Sequence, residues 1–92
     1  MGWGAARKLR AAVANLARII ACEVVCAARG IELRQPVLPA TPITAAVDVV
    51  RAAGVLGVGP DRYLAPELGW AEALVASGEL LAAVERVTGP LD

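Results

Sequence analysis

Residues 1–29 read as one helix that is apolar on almost every face, and a chain of 92 residues holds too little other material to cover it. With successive residues set about 100° apart, Arg7, Lys8, Asn15, Arg18 and Arg29 share one stripe. Leu9, Val13, Leu16, Ala17, Ile20, Val24 and Ala27 lie opposite. Between Ile19 and Ala28 the polar stripe itself fills with Ile19, Cys22, Val25 and Cys26, leaving Glu23 as the only charge. A helix greasy all round belongs inside a large core or a membrane. A membrane span needs about 20 mostly apolar residues. Arg18 and Glu23 interrupt this one near its middle, at roughly 2 to 3 kcal/mol each. The basic start runs into further charge rather than an apolar region with a cleavage site, so it does not read as a signal peptide. The expectation is a cytoplasmic chain with no membrane partner. A membrane-surface helix ranks last, because Trp3 is the only interfacial aromatic in the segment.

One small domain is the most that this length allows, and such a chain buries only about 60 to 65% of its unfolded surface. Its apolar content is 58%, yet Trp3, Tyr63 and Trp70 are the only aromatic residues and Phe is absent. Ala, Val and Leu dominate, which suits close helix packing with little bulk. Formal charge sums to zero but is divided: residues 1–34 carry six Lys/Arg against two Glu, and residues 35–92 three Arg against seven Asp/Glu. The basic residues are spread thinly along an apolar helix without interleaved aromatics, which argues against nucleic acid and for packing between segments or subunits. Cys22 and Cys26 are one helical turn apart, which is neither zinc-knuckle nor redox spacing, and no His completes a site. They read as buried, reduced thiols.

Gly30 fits the C′ position of a helix ending at Arg29. Pro36, Pro39 and Pro42 make residues 30–42 an extended connector. A second helix is predicted with Thr41 as N-cap and Pro42 at its first position, running through Ala45, Val49 and Ala52. Gly54, Gly57 and Gly59 loosen its end, and residues 57–65 form a loop holding Asp61, Arg62 and Tyr63. Pro66 opens a third helix whose Leu68, Ala71, Leu74 and Val75 recur at three and four. Ser77 and Gly78 break it, and a short last helix, Glu79 to Val87, turns Leu80, Leu81 and Val84 inward before Gly89 and Pro90. The fold class is therefore all-α: one long helix, a Pro-rich connector and two or three short helices over residues 43–92, part of a larger helical fold rather than a catalytic domain.

Chemistry is scarce. Without His the commonest acid/base group is missing. Gly54, Gly57 and Gly59 follow a helix, whereas a phosphate cradle needs a strand before its loop. Tyr63 reads as structural, and carboxylates such as Glu67 with Glu72 and Glu79 with Glu85 read as solvated helix faces. No residue is assigned a catalytic, cofactor-binding or metal-ligating role.

A resemblance begins with Met1, Gly2, Trp3, Gly4, Ala5, Ala6, Arg7, Lys8, Leu9 and Arg10. It continues through Asn15, Leu16, Ala17, Arg18, Glu23, Ala27, Ala28, Gly30 and Leu33. This run is similar to the stretch after the Glu-Asp-His-Val-Ser-Met-Gly motif in the histidine-acting branch of the aromatic amino acid ammonia-lyase family. Downstream, Asp61-Arg62-x-Leu64-x-Pro66 resembles that family's Asp-Arg-x-Leu-Ser-Pro-Asp segment, and Ser77-Gly78-x-Leu80-Leu81-x-x-Val84-Glu85 resembles its closing helix. The likeness covers the whole chain but only about the last fifth of a family member.

The resemblance implies a C-terminal part of a mostly helical homotetramer whose long central helices pack between subunits, so that the first helix's partners lie outside this chain. Family members eliminate ammonia from histidine to give urocanate, with a methylidene-imidazolone ring made from an Ala-Ser-Gly far upstream. The catalytic Glu of the family precedes the matching segment, so this chain alone is expected to be inert. Ala76-Ser77-Gly78 spells the same triad, but it lies between two apolar helical runs and reads as a coincidence: Ser77 caps and Gly78 relaxes a turn. The alternative is a stand-alone helical module that self-associates through Leu9, Val13, Leu16, Ile20, Val24 and Ala27.

Overall fold

The computed structural model describes residues 2–92, and its regular structure is four helices: α1 (Gly2–Leu33), α2 (Thr41–Ala52), α3 (Ala65–Ser77) and α4 (Glu79–Thr88). No strand occurs among the described residues. α1 packs chiefly on α3 and α2 on α4, while α3 and α4 adjoin at Gly78 with a smaller contact and α1 barely touches α2. The shared core is small: Ala21, Val25 and Ala28 of α1, Val50 of α2, Val55 of the following loop, and Ala71 and Leu74 of α3. Ala and Val at these positions let the helix axes approach closely, as the composition implies.

Helix ends follow local chemistry. α2 stops in a Schellman motif: Gly54 N–H donates to Arg51 O at 3.0 Å and Val55 N–H to Val50 O at 3.4 Å. The Val50–Val55 pair supplies the apolar contact that usually accompanies this motif, and both side chains are buried. Gly54 is needed there twice. Its φ is 105°, and a Cβ would lie 3.1 Å from Cε3 of Trp70. It locks the end of α2 rather than loosening it. α3 ends at Gly78 with φ 82°, and α4 at Gly89 with φ 79° and its N–H on Glu85 O at 2.8 Å.

Three local expectations need correction. α1 does not end at Arg29 but runs through Gly30 to Leu33. A helical Gly costs about 1 kcal/mol against Ala. Here the extra turn brings Glu32 to Arg51 and to the Val58 N–H, which anchors it. Ala40 rather than Thr41 is the N-cap of α2, with Pro42 still in the first turn, and no side chain caps that end. The inward face of the last helix also differs: Ala83 is buried in α4 while Leu81 is 53% exposed.

α1 sets the overall shape. Thirty-two helical residues span about 48 Å, and the molecule measures 54 × 36 × 18 Å. Its radius of gyration is 15.2 Å, against about 12 Å for a compact domain of this length. Residues 2–16 are all exposed, a rod projecting beyond the rest of the chain.

Candidate functional site: a bare helix seam and an ion-paired loop

Two features stand apart from ordinary packing. The first is the apolar stripe of α1. The face that α1 turns to its own chain carries Ala21, Val25 and Ala28, about a quarter-turn away from Leu9, Val13, Leu16 and Ile20. Those four are exposed by 65, 58, 53 and 36%. The apolar stripe is therefore turned away from the chain's own core. Cys22 and Cys26, expected to be buried, are free and exposed within this chain for the same reason. Towards its C-terminal end the stripe runs into a hollow of about 170 Å³ between α1, α2 and α4, walled by Val24, Ala27, Ile31, Ile43, Val47 and Leu80. By length and composition α1 could also cross a membrane.

The second feature is the loop from Ala53 to Leu64, which has no regular structure and is held by two carboxylates and two guanidiniums. Glu32, in the last turn of α1, accepts Arg51 Nε at 2.7 Å and Val58 N–H at 2.8 Å, and Arg51 Nη2 also lies against it. Arg51 Nη1 donates to Val55 O at 2.9 Å and Leu56 O at 3.2 Å. Glu67, in the first turn of α3, accepts Leu56 N–H at 2.8 Å and both Nε and Nη2 of Arg62, at 2.7 and 3.0 Å. Arg62 Nη2 donates further to Leu56 O and Gly57 O, each at 3.1 Å. Loop carbonyls and N–H groups that lack secondary structure thus find side-chain partners.

The electrostatics agree with this geometry. The Arg62 hydrogen bond holds the Glu67 carboxyl below the usual range, opposed by burial and aided by the Leu56 N–H. Glu67 in turn raises Arg62. The Val58 N–H is the main cause lowering Glu32, with Arg51 assisting. Glu67 corrects the reading of the carboxylates as solvated faces, since it is only 5% exposed. The missed signal is positional: Glu67, Ala71 and Leu74 lie four and three apart on one face of α3, and all are buried.

The remaining candidates stay apart. Tyr63 is 82% exposed. Ser77 ends α3, with its Oγ donating to Leu74 O at 3.1 Å and accepting Glu79 N–H at 3.2 Å, and Gly78 takes the left-handed C-cap conformation. The Ala76-Ser77-Gly78 triad thus lies at the junction of α3 and α4. Among the described residues no cluster of three metal-binding side chains occurs.

Comparison with known proteins bears on the seam. The family model described as aromatic amino acid lyase matches residues 1–52, which covers α1, the connector and α2. The chain belongs to the aromatic amino acid lyase family. Among curated lyase relatives, the histidine ammonia-lyase of Streptomyces coelicolor is 60% identical over 91 residues, and that of Streptomyces griseus is 58% identical over 93. The enzyme of the same name from Symbiobacterium thermophilum is 45% identical over 94 residues. These alignments cover 99 to 100% of the chain, but the chain spans only about 18% of each relative's length. No solved structure matches it.

Proposed function

We propose that the chain is the C-terminal helical part of a histidine ammonia-lyase, an enzyme eliminating ammonia from L-histidine to give urocanate in histidine breakdown. Its role there is packing: α1 joins central helices of the same and other subunits of a cytoplasmic homotetramer, and the four-residue ionic clasp fixes the loop between α2 and α3. The electrophilic ring and the acid/base groups come from upstream segments, so the chain alone is inert. Ala76-Ser77-Gly78 serves only as a helix junction.

One observation carries the reading: an apolar helix stripe lies bare in a chain that aligns end to end with histidine ammonia-lyases at up to 60% identity. Identity spread over the whole chain favours this over a stand-alone association module, which would need only the stripe.

A chimera tests it. The matching segment of the Streptomyces coelicolor enzyme is replaced by residues 1–92, and urocanate is followed by its ultraviolet absorbance alongside a sizing measurement. An active tetramer is expected, with no urocanate from the 92-residue chain alone. A soluble but inactive or monomeric chimera overturns the packing role, and urocanate from the chain alone overturns its inertness.

A further inference from the structure

α1 carries a third face that serves neither its own core nor the apolar seam. At about 100° per residue, Cys22 and Cys26 lie about a third of a turn from Ala21, Val25 and Ala28 on one side and from Leu9, Val13, Leu16 and Ile20 on the other. Both thiols are free and exposed. One helical turn apart, their Cβ atoms are about 5 to 6 Å from each other. Metal–thiolate bonds of about 2.3 Å set two sulfurs on opposite sides of one ion about 4.6 Å apart, a span that two such side chains close by rotating about their Cα–Cβ bonds. We infer that Cys22 and Cys26 together chelate one soft, two-coordinate cation of the Cu(I) class.

Donor count selects the ion. Zinc and iron–sulfur centres take four ligands. The sequence holds no other Cys and no His, and among the described residues no group of three metal-binding side chains forms around this pair. Hard cations prefer oxygen donors, whereas thiolates select soft ions such as Cu(I).

Charge and surroundings fit the same ion. Binding displaces two thiol protons, so that Cu⁺ and two thiols give one bis-thiolate complex and two H⁺, with copper staying Cu(I) throughout. The complex carries one net negative charge. Arg18 lies four residues before Cys22 and Arg29 three after Cys26 on the same side of the helix, so a cation flanks the pair at each end. Arg18 also keeps an exposed contact with Glu72 at 3.5 Å, and the charge of Arg29 is felt by Glu32 and Glu67. Cys22 opens on a cleft of about 310 Å³ between α1 and α3, walled by Ala65, Leu68 and Gly69, which leaves room for the ion without moving a core side chain. The seam takes no part, so the site stands or falls apart from the packing role.

Titration of the reduced 92-residue chain with Cu(I), supplied as its acetonitrile complex without oxygen, tests the site. One Cu(I) per chain is expected, with near-ultraviolet thiolate-to-copper absorption, unchanged helical circular dichroism and an unchanged number of chains per particle in native mass spectrometry. Cys22→Ser and Cys26→Ser, both at exposed positions that accept serine, are each expected to hold Cu(I) about tenfold or more weakly against a bicinchoninate competitor. Val24→Cys with Cys26→Ala keeps two thiols but sets them about 160° apart around the helix, and it is expected to bind no better than the single variants. Parent-like binding by either serine variant or by the displaced pair overturns the chelate. So does copper that bridges two chains, or no uptake at one equivalent.

Discussion

Gly57 shows how tightly single residues are fitted around the clasp. A Cβ there would lie 2.6 Å from Glu32 Oε1 and 2.9 Å from its Cδ, and Glu32 cannot retreat without releasing Val58 and Arg51. Gly57→Ala is therefore expected to cost about 1 to 3 kcal/mol, as overpacking does, with faster hydrogen exchange at the Val58 amide. Gly30 is the contrast: it is helical and a Cβ there meets nothing within 4 Å. Gly30→Ala is expected to raise stability by about 0.5 to 1 kcal/mol in the isolated chain, measured by thermal unfolding. The clasp also has an acid signature. Both Glu67 and Glu32 titrate below their ordinary value in the folded chain, the first mainly through Arg62 and the second mainly through the Val58 N–H. A depressed carboxylate contributes stability above its unfolded pKa and loses it as pH falls through the lower folded pKa. Unfolding midpoints should thus fall as pH drops below the usual carboxylate range, about 4. Glu32→Gln with Glu67→Gln should flatten that limb while lowering stability at neutral pH. An unchanged acid limb in the double variant would show that the clasp is not its source.

At the level of elements, the α3–α4 junction depends on Gly78, whose φ of 82° no residue with a Cβ adopts cheaply. Gly78→Ala is expected to cost about 1 to 2 kcal/mol, lowering the melting temperature by about 4 to 8 °C per kcal/mol for a domain of this size. Much of this layer was legible in the residues. The proline-rich connector, Pro42 and Pro66 in first turns, and the Gly78 and Gly89 stops all act through local backbone chemistry, which needs no knowledge of the fold. What the sequence misplaced depends on distant partners. Gly30 looked like a stop because its local cost is real, but Glu32 two residues on is anchored by Arg51 and Val58, far along the chain. Glu67 looked solvated because carboxylates usually are; its partner Arg62 is five residues away, outside helical spacing and across a loop. The α1 stripe was recognised as apolar, but periodicity alone ranks faces by greasiness and not by which neighbour is present. Small Ala21, Val25 and Ala28 make the intrachain contact, and the bulkier Leu9, Val13, Leu16 and Ile20 stay exposed.

Across the whole molecule, that division of faces separates two kinds of stability that one helix would otherwise confound. The intrachain core meets α1 through Ala21, Val25 and Ala28, whereas Ile20 sits on the bare stripe with 36% of its surface exposed. Leu74, 5% exposed in the core beside Val50 and Val55, belongs to the first kind. Leu74→Ala is expected to destabilise the 92-residue chain by about 2 to 5 kcal/mol, since a leucine deleted from a closed core leaves a cavity. That loss should appear in denaturant unfolding at any protein concentration. Ile20→Asp acts on the other kind. A carboxylate at the middle of an apolar helix interface is left without a partner when two surfaces close over it, a cost that association must bear and the separate chain does not. In the proposed lyase tetramer the variant should disassemble in a sizing experiment. In the isolated chain at low concentration its unfolding midpoint should stay close to that of the parent, because Ile20 is not part of the chain's own core. The opposite pattern, a destabilised monomer with an intact tetramer, would place Ile20 inside the chain's own fold and leave the stripe without an assembly role.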